Sequence, residues 1–249
     1  MKAYHNREFI KSEEARALRI LSEYQYPLKV FTEEQVTDTI VVFGSSRIPG
    51  PEDDRARPAA AYREYYQAAR ELSGRLARWN REVAIPRKKN YLVTTGGGPG
   101  IMEAGNRGPS EAGEESIGLN IFIPAEQHEN PYIADRFRFE FQYFFMRKFW
   151  FLYHARMLIV FPGGFGTMDE LFETLTLQQT EIIKEKIPVV LFGKSFWEKA
   201  VNFEFLAEAG MIDREHLELF TMVDSVDEAV AFIVPKLEKH LNQSDPAPG

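Results

Sequence analysis

The stretch Leu158–Thr180, LIVFPGGFGTMDELFETLTLQQT, carries an apolar strand into a glycine-rich turn that opens an amphipathic helix. Leu158 to Phe161 form the continuous apolar run expected of a strand buried in a parallel sheet, while Met168, Leu171, Phe172 and Leu175 return at helical spacing. Between them lies Pro162-Gly163-Gly164-Phe165-Gly166-Thr167. Glycines let the backbone turn sharply and come close to a ligand, and the unpaired N–H groups at the start of the following helix face whatever sits there. A phosphate suits that place, and Glu170 supplies a carboxylate beside it.

Outward from this stretch, strand and helix patterns alternate. Ser12 to Gln25 read as a charged helix with Ala15, Leu18 and Leu21 among its apolar positions, and Thr39 to Phe43 as the first strand. That strand runs into Gly44-Ser45-Ser46-Arg47-Ile48-Pro49-Gly50, then an acidic, proline-bounded loop from Pro51 to Pro58 and a long helix from Ala59 to Trp79. Tyr91 to Thr95 form a second strand, followed by the turn Gly96-Gly97-Gly98-Pro99-Gly100 and a short helix, Ile101 to Asn106. Ile117 to Ile123, stopped by Pro124, form a third strand, and Phe137 to Phe145 alternate as a half-exposed one. A helix from Arg147 to Ala155 leads into the strand at Leu158, Pro188 to Phe192 make a further strong strand, and helices around Phe196–Glu208 and over Val226–Leu241 close the chain. The expected fold is α/β, a Rossmann-like doubly wound parallel sheet with helices on both faces. Residues 1–38 read as a helical extension, 39–241 as the domain and 242–249 as a frayed tail. The loops after the strands at Val42, Val93 and Val160 are expected to converge on one crevice.

Composition narrows the function classes. The chain has 249 residues, 44% of them hydrophobic, enough for one large core. Its formal net charge of −7 argues against nonspecific nucleic-acid binding. With no cysteine, disulfides, Cys-ligated zinc and a Cys nucleophile are excluded. The charged first thirty residues argue against a signal peptide, and no apolar run approaches the ~20 residues of a membrane span, so a cytoplasmic location is expected. The five histidines, His5, His128, His154, His216 and His240, lack zinc-ligand spacing and read as ordinary surface or interface residues.

Two familiar phosphate motifs fail. Gly96, Gly98 and Gly100 miss the G-x-G-x-x-G dinucleotide spacing. Gly193-Lys194-Ser195 looks like the end of a P-loop, but Pro188 occupies the position of its first glycine, so a strand-end turn is the better reading.

GGGPGIMEAGNRG (Gly96 to Gly108) and PGGFGTMDE (Pro162 to Glu170), with Met146-Arg147-Lys148 ahead of the second, resemble the LOG ("Lonely Guy") family of nucleotide phosphoribohydrolases, formerly labelled putative lysine decarboxylases. The family pattern is PGGxGTxxE with an upstream Arg-Lys pair. The resemblance covers roughly residues 39–190. It implies cleavage of the N-glycosidic bond of nucleoside 5′-monophosphates, AMP or cytokinin nucleotides among them, to free base and ribose 5-phosphate. It makes Arg147 and Glu170 the catalytic pair. Ser45, Gly97, Gly98, Glu103, Lys148, Gly163, Gly164, Phe165, Gly166 and Thr167 are the expected substrate contacts. Neither a metal nor a cofactor is implied, and the expected assembly is a homodimer or larger homo-oligomer.

The chemistry fits these residue types. A breaking ribosyl bond builds positive charge on the sugar, which a fixed carboxylate stabilises while it orients water. Competing readings stay open. Thr167-Met168-Asp169-Glu170 is also a capping box, in which Glu170 bonds back to the helix start. Arg147-Lys148 also fits a solvated helix end, Gly96–Gly100 a packing turn, and the aromatic cluster from Phe139 to Phe151 a core or interface. Two other classes are a non-catalytic nucleotide or molybdenum-cofactor binder of the same fold, and a pyridoxal-phosphate lysine decarboxylase. The first has no need of the Arg147–Glu170 pair, and the second needs a Schiff-base lysine that no motif marks.

Overall fold

Strand β1 (Asp38–Phe43) is buried over all six residues, and successive side chains feed opposite layers. Ile40 and Val42 point into one apolar cluster, Val41 and Phe43 into the other. The structure is a computed structural model and describes residues 2–53, 58–121, 130–183 and 185–243. Parallel pairing joins β1 to β2 (Tyr91–Thr95), then β3 (Ser116–Ile121) and β4 (Arg138–Phe141) on one side. On the other side it joins β5 (Ala155–Val160), β6 (Val189–Phe192) and β7 (Phe220–Val223). The strand order is therefore β4-β3-β2-β1-β5-β6-β7, a doubly wound parallel sheet whose direction of growth reverses at β1.

Helices cover both faces. Residues of α2 (Arg16–Glu33), α5 (Phe144–Tyr153), α6 (Phe165–Gln179), α7 (Lys194–Ala200) and α8 (Phe203–Glu208) join the Val41 cluster. Those of α3 (Arg63–Trp79), α4 (Ile101–Glu111) and α9 (Val226–Leu241) join the Ile40 cluster. A short α1 (Arg7–Lys11) precedes α2.

Several boundaries differ from the sequence reading. The early helix starts at Arg16, continues through Pro27 to Glu33 and turns Leu18 and Leu21 to solvent. Its inward stripe is Ile20, Tyr24, Pro27, Leu28 and Phe31, an equally regular helical spacing that aromatic partners on α5 select. The strand expected over residues 137–145 ends at Phe141, because Phe144 already opens α5. The helix expected over 196–208 is two, interrupted after Ala200, and β7 had no expected counterpart. His240 is buried rather than superficial, since α9 lays it against the hydroxyl of Tyr91, and burial lowers its pKa. Gly193 is the strand-end turn, with φ 93° opening α7. Phe122 to Pro124, His128, part of the 51–58 loop and most of the expected tail lie outside the described residues.

One motif glycine has a packing reason. At Gly108 a Cβ would stand against the Arg70 carbonyl and 2.7 Å from the Gly74 nitrogen, so α3 and α4 cross backbone to backbone there. Gly108→Ala is expected to destabilise the fold by about 1–3 kcal/mol, the scale of overpacking a rigid contact. Urea denaturation checks this, and an unchanged midpoint would show that the crossing has slack.

Candidate active site at the carboxyl end of the sheet

Where the sheet reverses, the chains leaving β1 and β5 diverge and are tied together by backbone. Ser45 donates its N–H to the Pro162 carbonyl at 3.0 Å, and its own carbonyl accepts from Ile101 at 3.0 Å. The loop after β1 thus bridges the glycine turns after β2 and β5, as the topology requires of a crevice. The Ser45 hydroxyl is turned to its own loop, accepting from the Arg47 N–H.

The 162–167 turn is open on its outer side. Helix α6 begins at Phe165 with Gly164 as its cap, and no side chain caps it. The N–H groups of Phe165, Gly166 and Thr167 therefore lack intrahelical acceptors. A Cβ at Gly164 or Gly166 would meet nothing, whereas one at Gly163 would collide with the Thr167 side chain. Phe165 is 95% exposed and Thr167 is buried. Thr167 lies in the first helical turn rather than ahead of it, so the capping-box reading of Thr167 and Glu170 does not hold.

Glu170, only 7% exposed, instead meets the helix before β5. Its Oε1 lies 3.5 Å from Lys148 Nζ, which also pairs with Asp169 at 2.8 Å and Glu173 at 2.7 Å. Burial pushes the Glu170 carboxyl up to about 7, with Lys148 and Arg147 pulling the other way. For Lys148, burial opposes the charge, but bonds to Asp169 and Glu173 and the charge of Glu170 outweigh it and raise its pKa. Arg147 donates Nε–H to the Leu119 carbonyl at 2.7 Å, and its guanidinium lies over the Phe151 ring. Its Nη2 would be 2.5 Å from a Cβ at Gly96, so that glycine is bare because the guanidinium covers it. Burial lowers the Arg147 pKa and Glu170 partly restores it. Neither cation is a solvated helix end.

The other expected contacts are engaged within the protein. Gly97 and Gly98 are buried, with Gly97 at φ 72° beneath Asn120, and Asn130 binds their carbonyls through its N–H and Nδ2 at 3.1 Å each. Glu103 accepts from the Tyr66 hydroxyl, which places its carboxylate toward α3. Sequence reasoning missed Glu173, one helical turn beyond Glu170. It also missed the net of Thr95, Asn106 and Asn130 that latches the 96–100 turn through the Asn106 Oδ1 at 2.6 and 3.0 Å. Asn106 stands inside the quoted motif, so it was within reach; nothing in the sequence relates Asn130 to that turn.

Residues 102–233 match the family described as "Possible lysine decarboxylase", the earlier label of the LOG family, over more than half of the chain. The chain belongs to the LOG family. Among curated proteins no match is found. Solved structures with the same fold include the molybdenum cofactor binding protein of the phototrophic bacterium Rippkaea orientalis, at 18% identity and TM-score 0.52, covering 81% of this chain and 98% of that one. The Moco carrier protein of Chlamydomonas reinhardtii matches at 20% identity and TM-score 0.52, covering 82% and 99%. The structural-genomics protein TM1055 matches at 25% identity and TM-score 0.54, covering 80% and 99%. The LOG motif residues Arg147, Lys148 and Glu170 lie together in this chain, while Gly97 lies against Asn120 and Gly108 against the backbone of α3.

A carboxyl raised to about 7 in the fold favours its neutral form. The stability it contributes is complete below the unfolded carboxyl pKa and is lost as pH rises through 7. Ionised Glu170 then costs at most about 3 kcal/mol. Glu170→Gln is therefore expected to be more stable than wild type at pH 8 and little different at pH 4. Thermal melts at both pH values check this, and a pH-independent difference would contradict it.

Proposed function

We propose that this LOG-family protein hydrolyses nucleoside 5′-monophosphates to free base and ribose 5-phosphate. The observation that carries the reading is Glu170, a buried carboxyl held near neutrality beside Lys148 and Arg147, one turn from the uncapped end of α6. In this reading the 5′-phosphate sits against the N–H groups of Phe165, Gly166 and Thr167, where the helix dipole favours negative charge. The C1′–N bond breaks and its electron pair leaves on the base, while a water oxygen bonds to C1′. Glu170, in its ionised form, steadies the ribosyl cation and takes the proton of that water, which passes to the departing base. Arg147 orients the ribose and phosphate or neutralises charge gathering on the base.

A second reading, a non-catalytic binder of a nucleotide or of a molybdenum cofactor, is favoured by the fold shared with the Rippkaea and Chlamydomonas proteins. Such a binder has no need of a carboxyl held near neutrality between two cations. A pyridoxal-phosphate decarboxylase fits less well. The lysine of this site is surrounded by Asp169, Glu170 and Glu173 and its pKa is raised, so it is protonated where a Schiff base needs a free amine.

The reading extends to assembly and place. Phe144, Phe145, Phe149 and Tyr153 on α5 and Ile182 beyond α6 are large and exposed, which supports a homo-oligomer. Among the described residues no helix is long and apolar enough to cross a membrane. The cytoplasmic location is part of our proposal, supported by a chain without cysteine.

Incubation with a panel of nucleoside monophosphates and the matching nucleosides, with free base read by chromatography, tests the assignment. AMP or another monophosphate is expected to be cleaved at least about 100-fold faster than its nucleoside, because the nucleoside forfeits the phosphate's binding energy. Equal rates, or no free base from any monophosphate, would overturn it. Arg147→Lys keeps the charge and loses the planar donor fork, so turnover is expected to fall by about 100-fold while the fold persists. Unchanged turnover would remove Arg147 from the mechanism.

A further inference from the structure

Pro27 lies inside α2 and has no N–H to return to the Glu23 carbonyl four residues earlier. That carbonyl is taken instead by the indole of Trp150, at 2.9 Å. The carboxylate of the same residue turns to the chain entering α5, accepting N–H bonds from Gln142 at 2.8 Å and Tyr143 at 3.3 Å. Tyr143 precedes α5 and its own side chain provides no cap, so Glu23 caps the helix from another element. Arg19 Nε donates to the Tyr143 hydroxyl at 3.2 Å and the Arg16 guanidinium lies over that ring, while Tyr24 and Phe31 pack against Trp150.

Helix α2 therefore grips α5 at residues 142–143 and again at 150. Arg147 and Lys148 fall between the two grips, and the Arg147 N–H bonds the Tyr143 carbonyl in the first turn that Glu23 caps. We propose that Glu23 is a positioning residue, through which the segment before β1 fixes the axial place and rotation of α5 and so seats the Arg147 guanidinium against the Leu119 carbonyl and the Gly96 turn. Its effect on turnover rests on the hydrolase reading above; its effect on the seat of Arg147 does not. A loosened first turn lets α5 fray or slide, and displacements near 1 Å at a reacting group are costly. The segment thereby becomes a working part of the site without touching the ligand.

The test uses Glu23→Ala and Glu23→Gln in the full chain. The first removes the cap, and the second keeps an acceptor oxygen without the charge that strengthens it. The nitrogen-15 resonance of the Arg147 Nε–H, identified by its loss in Arg147→Lys, reports the seat directly, and AMP cleavage reports the consequence. In Glu23→Ala this resonance is expected to shift or broaden, the amides of residues 143–150 to exchange at least about tenfold faster, and kcat to fall about tenfold. Glu23→Gln is expected to show the same changes at smaller size, and it carries the test if the alanine variant does not fold. Wild-type Arg147 resonance and exchange in a folded variant would overturn the proposal, as would a moved resonance with full turnover. A wild-type protein that cleaves no nucleotide would instead overturn the hydrolase reading. In that case the Arg147 resonance alone judges the positioning role: movement supports it and constancy refutes it.

Discussion

Reversal of the sheet at β1 is the constraint on which the site depends. Because β2 and β5 both pair with β1, the crossovers that follow leave in opposite directions, and the loops at the carboxyl ends of these three strands must part. Ser45 ties them by backbone alone, donating to one turn and accepting from the helix after the other. Beside these loops Arg147 arrives from α5 and Glu170 from α6, close enough for their charges to act on each other.

What gathers there is electrostatically costly. Glu170 is nearly enclosed, and its desolvation outweighs the pull of two neighbouring cations, so its carboxyl titrates near neutrality rather than as an ordinary acid. Lys148 is held charged by three carboxylates, and Arg147 is buried against an aromatic ring, a carbonyl and a bare glycine. Folding alone gives no reason to bury such a group, and strongly shifted carboxyls cluster at functional sites. The open, uncapped start of α6 lies one turn from that carboxyl, and free helix N–H groups of this kind favour an anion.

The placement of α5 is as consequential as the residues it carries. Its aromatic content divides sharply, with Trp150 and Phe151 in the core and Phe144, Phe145 and Phe149 outside. Rotation about the helix axis therefore decides both what is buried and where Arg147 points. The grip of α2 at both ends of that helix removes the rotational freedom, and Pro27 makes one of the two contacts by leaving a carbonyl vacant for Trp150.

Much of this was legible locally. Strand β2 and helix α9 have the bounds their patterns predict, because apolar runs and period-3.6 stripes bracketed by turn residues express burial directly. The pairing of Arg147 with Glu170 came only from the resemblance to the LOG family, whereas the glycine turns and the failed P-loop also followed from residue type and spacing. Choices between equally regular local patterns did not. Two stripes of α2 have helical spacing, and only the aromatic wall of α5 selects the one that turns inward. Thr167 to Glu170 satisfies a capping pattern, yet the helix starts two residues earlier and Lys148 claims the carboxylate. Strand β7 is four residues at a sheet edge, too short to show a period, and becomes a strand because β6 offers it a ladder. Asn130 and Glu23 act across 24 and 119 residues of separation, where no local signal reaches. Local pattern is written by solvent contact along one segment, whereas these assignments arise from which segments meet, and that meeting exists only once the sheet has closed around β1.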